Sequence, residues 1–251
     1  MLADVLAGAK RHVGVRSMAA LYSETKAVLR EIPADFLGGC TLRKAYLIAE
    51  LIRRYDLKTT VDIGVYRGRS LLPQALAHHR FTGGVAFGID PWSASEARES
   101  DSPLLKEEID QFIDKTNFQA TYEEVKSLLE TLYLEDNCVL LRRTSAKAID
   151  FFKQNDVYFD LVHIDGNHDT RIVSDDVRSY VPRLRNMGFV ILDDASWRSV
   201  RPAYDELMRT MQLVFERKDK GLTNDYAVFW NGASRMGAQT RRFILTCLGA
   251  C

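Results

Sequence analysis

Val162-His-Ile-Asp165-Gly-Asn-His168-Asp-Thr170, taken with Phe189-Val-Ile-Leu-Asp193-Asp194-Ala-Ser-Trp197, decides the fold. Each stretch opens as an apolar run of strand character, Phe159 to Ile164 and Phe189 to Leu192, and stops abruptly in carboxylates, with a helical segment between them. In a parallel α/β sheet two such strand ends lie side by side at the carboxyl edge, where ligands bind. Asp165, Asp193, Asp194 and His168 are thereby expected to converge at one end of the sheet. Hard cations take a few carboxylates and leave their other positions to water or substrate, so the three acids suit Mg²⁺ or Mn²⁺. An Asp at a βα turn is also a common helix N-cap. Three acids and an imidazole on two adjoining strand ends favour the functional reading over capping.

Outward from this block, strands and helices alternate. The β-branched run that opens at Lys58 and enters the turn at Gly64 reads as the first strand, the stretch from Gly83 that ends in the acid Asp90 as the second and Asn137 to Arg142 as the third. Helices are expected over Leu71–Arg80, Ser145–Asn155, Thr170–Leu184 and Val200–Met211. The fifth strand is expected at Met187–Leu192, and Leu213–Glu216 with Tyr226–Trp230 as a closing antiparallel pair. Such alternation implies a doubly wound, mainly parallel seven-stranded sheet of Rossmann-like form. Upstream, Met18–Arg30 and a helix capped at Thr41 and running to Tyr55 form an N-terminal helical segment, residues 1–57. Between the second and third strands, residues 93–134 carry more chain than a crossover needs, with helices expected at Pro103–Phe118 and Thr121–Tyr133. This excess has the character of a substrate-binding insertion or lid. No linker divides the chain, so residues 1–251 read as one domain.

The first βα turn, Asp62-Ile-Gly64-Val-Tyr66-Arg-Gly68-Arg-Ser70, sets a glycine beside a helix start, where backbone amides can hold an anionic group. Asp90, at the end of the second strand, stands where nucleotide-binding α/β folds place the carboxylate that accepts hydrogen bonds from ribose hydroxyls. Pro91 and Trp92 offer an apolar wall to an adenine ring, although a Trp after a strand also serves as core. A dinucleotide site would need a small residue where Tyr66 stands, which argues against NAD and FAD, and GxxxxGK[ST] is missing.

Lys plus Arg, 34, equal Asp plus Glu, 34, so no net field draws the protein to nucleic acid or an anionic membrane, and a small-molecule partner is the expectation. No apolar run reaches the ~18–20 residues of a membrane span. Cys40, Cys138, Cys247 and Cys251 fit no zinc spacing and read as free thiols of a reducing, cytoplasmic compartment. Val5 to Ser23 lacks acids and carries Lys10, Arg11 and Arg16, a faint transit-peptide signal against which an ordinary amphipathic helix is preferred. Homo-oligomerisation stays open.

Asp62-x-Gly64-x-x-x-Gly68 followed by Asp90 resembles class I S-adenosylmethionine-dependent methyltransferases. His163-Ile-Asp165-Gly-x-His168 with Asp193-Asp194 is similar to the metal-dependent sugar O-methyltransferases of the macrocin and aminocoumarin type, and more distantly to catechol O-methyltransferase. The resemblance covers residues 58 to 197. It implies that Gly64, Gly68 and Ser70 line the methionine end of an S-adenosylmethionine site, with Asp62 and Tyr66 in the same cofactor-binding turn. Asp90 would hold the ribose, and Ser145 would lie near the adenine. It further implies Mg²⁺ (or Mn²⁺) on Asp165, Asp193 and Asp194, with His168 as base toward a hydroxyl of a sugar or other small molecule. The family often carries Glu where this chain has Asp62 or Asp193. Two other readings fit the same residues: a metal-dependent hydroxylase or hydrolase, which would bind no S-adenosylmethionine, and a non-catalytic nucleoside-binding module, which would bind no metal.

Overall fold

A computed structural model describes residues 18–33, 39–101, 106–218 and 225–232. Cys247, Cys251, the C-terminal tail, the beginning of the 5–23 basic stretch and the expected helix start at Pro103 lie outside them. Among the described residues, no helix is long and apolar enough to cross a membrane.

Two helices precede the sheet, α1 (Met18–Arg30) and α2 (Leu42–Tyr55). Thr41 caps α2 by accepting the Lys44 amide at 3.3 Å, and Asp56 ends it in the left-handed region at φ 52°. Then come β1 (Thr59–Ile63), α3 (Leu71–Ala77), β2 (Val85–Ile89), the short α4 (Ala94–Ala97), α5 (Lys106–Lys115), α6 (Phe118–Thr131), β3 (Cys138–Leu141), α7 (Ser145–Gln154), β4 (Phe159–Ile164), α8 (Thr170–Tyr180), β5 (Leu184–Asp193), α9 (Arg201–Thr210), β6 (Gln212–Arg217) and β7 (Tyr226–Asn231). The seven strands run in the order β3-β2-β1-β4-β5-β7-β6. β1 to β5 pair in parallel, and β7 inserts antiparallel between β5 and β6. The doubly wound sheet is therefore present, with the closing pair at its edge.

Several boundaries differ from the sequence reading. The helix from Leu71 gives way at His78 to a wider π-type turn through Thr82, and α8 ends at Tyr180, followed by a 3₁₀ turn over Val181–Arg183. β5 starts at Leu184 rather than Met187, so polar residues Arg185 and Asn186 lie on a strand whose far half is fully buried. The insertion is also shorter than 93–134. α6 buries Val125 and Leu129 in the same cluster as Leu71 and Leu72 of α3, so it is the ordinary crossover helix. α5 packs Ile109 and Ile113 into the cluster on the opposite sheet face.

The two faces explain where the polar side chains go. Residues two apart on a strand share a face. Val61, Ile63, Val162, Ile164, Val190 and Leu192 join the cluster of α5 and α7 to α9. Leu161, Phe189 and Ile191 join that of α1, α2, α3 and α6. Asp62 and His163, paired across β1 and β4, alternate with the first set and so point toward α2 and α3.

Candidate active site

At the carboxyl ends of β1, β2, β4 and β5 lies a cavity of about 460 Å³. Its lining includes Gly64, Tyr66, Ser70, Asp90, Ser145, Asp165, His168, Asp193 and Asp194. Asp62, Gly68 and Trp92 do not line it. Trp92, expected as an adenine wall, is instead core: it is buried, tilts against the Tyr122 ring at 4.9 Å and donates from Nε1 to the Tyr66 carbonyl. Pro91 does line the cavity.

The loop after β1 is fixed by close contact. Gly64 has φ +89°, and a Cβ there would meet the Asp165 carbonyl oxygen at 1.9 Å. The glycine is thus required first by the neighbouring strand end and only then by any ligand. Tyr66, Trp92 and Asp194 also have positive φ, at 48°, 43° and 50°, each in a loop leaving a central strand. Backbone held this way costs energy and concentrates at functional sites. Asp90 accepts the Tyr66 amide at 2.9 Å and the Trp92 amide at 2.6 Å. Burial pushes its pKa above the usual carboxylate value, and the amides act in the opposite direction. Ser145 opens α7 on the cavity wall.

The acidic cluster divides in two. In its inner half, Asp62 accepts the Ser70 hydroxyl at 2.7 Å and meets His163 Nδ1 at 2.5 Å, and His163 Nε2 lies 3.2 Å from Asp193. Lys44 of α2 reaches into the same space, hydrogen-bonded to Asp193 and 3.4 Å from Asp165. All but Asp165 are nearly inaccessible to solvent. Burial alone would lower the pKa of His163, yet Asp193 and Asp62 push it up to about 10. Burial likewise opposes the charge on Lys44, and Asp193 and Asp165 outweigh it. Asp193 is held well below the usual range because Lys44 and His163 overcome its desolvation. Asp193, expected beside Asp165 and Asp194 as a metal ligand, is therefore already paired with two cations. Strand alternation is the cause: Asp193 continues the face of Ile191 toward α2, and Asp194 turns away.

The outer half faces the cavity. His168 Nε2 lies 2.8 Å from Asp194 Oδ2 and 4.0 Å from Asp165 Oδ1. Nε2 is nonetheless without a well-directed hydrogen bond, so the contact to Asp194 is a close approach off the hydrogen-bond line. On the other side, Glu99 accepts from His168 Nδ1 at 2.6 Å and from its amide at 3.1 Å. Glu99 arrives on residues 96–101, which are tied to the turn after β4. Asn167 donates to the carbonyls of Glu96 and Arg98, and Asp169 accepts from Ser100 and Asp101. Burial lowers the His168 pKa, but Asp194 and Glu99 outweigh it and hold it well above an ordinary imidazole. Burial and the Asp193 charge push Asp165 up to about 8.

The donor atoms form two sets sharing Asp165, namely His163–Asp165–Asp193 and Asp165–His168–Asp194. The first already holds the Lys44 ammonium. In the second, Asp165 and Asp194 converge beside an imidazole nitrogen off any hydrogen-bond line: two carboxylate donors suit a divalent cation and leave the imidazole lone pair for a proton.

Neither Lys44 nor Glu99 was reached by sequence motif. Lys44 did leave a trace, since it lies four, seven and eight residues before Ile48, Leu51 and Ile52 on the apolar stripe of α2, a charge where a core residue belongs. Glu99 sits in the polar run from Ser93 to Ser102, with no pattern to mark it.

The sequence profile of the family described as a methyltransferase domain matches residues 61–195, more than half of the chain. No curated protein matches. Among solved structures, an O-methyltransferase from Bacillus cereus in complex with SAH is similar at 12% identity and TM-score 0.55, covering 92% of this chain and 98% of that one. TomG, an O-methyltransferase from Streptomyces achromogenes involved in tomaymycin synthesis and solved with SAM, gives 13% identity and TM-score 0.59 over 91% and 95%. The SAH-bound methyltransferase PaMTH1 of Podospora anserina gives 15% and 0.53 over 90% and 93%. At these identities the likeness is one of fold. The profile match supplies what fold alone does not, and the chain belongs to the methyltransferase-domain family.

Proposed function

We propose that this protein transfers the methyl group of S-adenosylmethionine to a hydroxyl of a small molecule, with a sugar or another vicinal diol as the acceptor class. The observation that carries the reading is that one cavity holds both a cofactor-type carboxylate, Asp90, and the pair Asp165–Asp194 with His168 beside it. The relatives solved with SAM or SAH share this fold.

Each end of the cavity has a separate task. Asp90, already oriented by two backbone amides, offers its remaining acceptor capacity to the ribose hydroxyls. Gly64, Tyr66 and Ser70 border the methionine end, and Ser145 the adenine end. Asp165 and Asp194 would hold the cation, Mg²⁺ or Mn²⁺, with Asp193 left to Lys44. Such an ion supplies positive charge that acidifies and orients an acceptor hydroxyl. His168 takes the proton at Nε2 because Glu99, an acceptor, keeps the proton at Nδ1. The step needs the neutral imidazole, so it is favoured by higher pH.

The test is to incubate the full chain with S-adenosylmethionine and a panel of catechol and glycoside acceptors, following S-adenosylhomocysteine with Mg²⁺ present or removed by EDTA. Turnover with Mg²⁺ that EDTA abolishes is the expected result. S-adenosylmethionine left intact with every acceptor, or turnover indifferent to EDTA, would remove the acceptor class or the ion respectively. The hydrolase alternative predicts no cofactor binding at all.

A further inference from the structure

Lys44 lies outside the family match, on a helix that precedes it, yet its ammonium enters the acidic cluster between Asp193 and Asp165. Its side chain is 2% exposed and does not line the cavity, so it has no route to an acceptor. The groups facing it are Asp193 and Asp165, with Cys40 and the Tyr226 ring, whose centroid is 6.0 Å away, completing its surroundings. Buried like charges cannot be kept together without a counter-charge. Here that charge is covalently part of the chain.

We infer that Lys44 is the resident cation of the inner acidic set: it stands where a metal ion would bridge Asp193 and Asp165. The cofactor pocket is thereby assembled without metal, and divalent-ion affinity at the outer set is set by competition with the ammonium for Asp165. The inference rests on the reading of Asp165 and Asp194 as cation donors. Removing the ammonium frees Asp193 Oδ2 and Asp165 Oδ2 from it and removes its repulsion of an ion held on the same Asp165 carboxylate. A charge removed at that range should tighten divalent-ion binding about tenfold or more.

The experiment is Mn²⁺ titration of the full chain, saturated with S-adenosylhomocysteine, by electron paramagnetic resonance, with thermal denaturation of the same samples. Wild type should bind Mn²⁺ weakly and melt at nearly the same temperature in Mn²⁺ and in EDTA. Lys44→Met should bind Mn²⁺ about tenfold more tightly or better and lose stability in EDTA, with Mn²⁺ restoring it. Lys44→Arg, which keeps the charge, should retain the weak wild-type binding. Lys44→Met with unchanged or weaker Mn²⁺ affinity, or unfolded in a way that saturating Mn²⁺ does not reverse, overturns the role. Equal and tight binding in both proteins would remove Lys44 and leave the outer donors standing. Absence of binding in both would remove the cation reading itself, and this inference with it.

Discussion

The inner and outer halves of the acidic cluster use the same residue types to opposite ends. Asp62, His163, Asp193 and Lys44 form a closed, charge-balanced chain under α2 and α3. Asp165, His168 and Asp194 meet at the cavity with their charges less completely matched, and with Glu99 behind them. Neither a His nor an Asp at a strand end is functional by type. Its direction off the strand decides, because one residue of alternation separates Asp193, paired with Lys44 and His163, from Asp194 beside His168.

If that division holds, substitutions in the two halves should fail differently. The largest effect is expected on rate, in the outer half. His168→Ala should lower kcat by about 10²–10⁴-fold while leaving S-adenosylhomocysteine affinity nearly unchanged, as steady-state kinetics and calorimetry can show. In wild type kcat/KM should rise with pH as His168 loses its proton. In the ion-free protein Asp194 and Glu99 hold this pKa above that of an ordinary imidazole; an ion on Asp194 should draw the limb downward, and the mutant should lack it. Wild-type turnover in His168→Ala would make it a structural residue.

Of comparable size, but on stability, is Asp62→Ala in the inner half. It strands His163 and leaves the Ser70 hydroxyl without its acceptor, and removing one partner of a buried ion pair costs about 3–5 kcal/mol. Urea denaturation would read the loss, and a change below 1 kcal/mol would mean the inner chain contributes little to folding.

Smaller is Asp90→Ala, which should weaken S-adenosylhomocysteine binding by about 2–4 kcal/mol through loss of charge-assisted hydrogen bonds. Unchanged affinity in the folded variant would take the ribose role from Asp90. Smallest is Glu99→Gln, which keeps an acceptor oxygen for His168 Nδ1 and should cost about tenfold in kcat, with Glu99→Ala costing more. Equal losses in the two would show that Glu99 acts through charge rather than by orienting the imidazole.

The fold was legible because its signals are local and repeat: β-branched runs that end in Gly or Asp, helices at regular intervals, and Thr41 as a cap. The insertion of β7 between β5 and β6 was not, since which strand a closing hairpin pairs with is fixed by contacts distant in sequence. In the site, Asp90, Asp165, His168 and Asp194 could be read from strand ends. The divergence of Asp193 from Asp194 follows from strand alternation, which their adjacency in sequence hides. Lys44 and Glu99 come from segments with no chemical motif of their own, and only packing brings them to the cluster.

The most direct measurement is calorimetric titration of the full chain with S-adenosylhomocysteine, once with Mg²⁺ and once in EDTA. Binding of similar strength is expected in both, because Lys44 balances the inner acids and Asp90 holds the ribose without an ion. Binding in neither would contradict the cofactor assignment, and binding only with Mg²⁺ would contradict the division of the cluster into a self-balanced half and a metal-binding half.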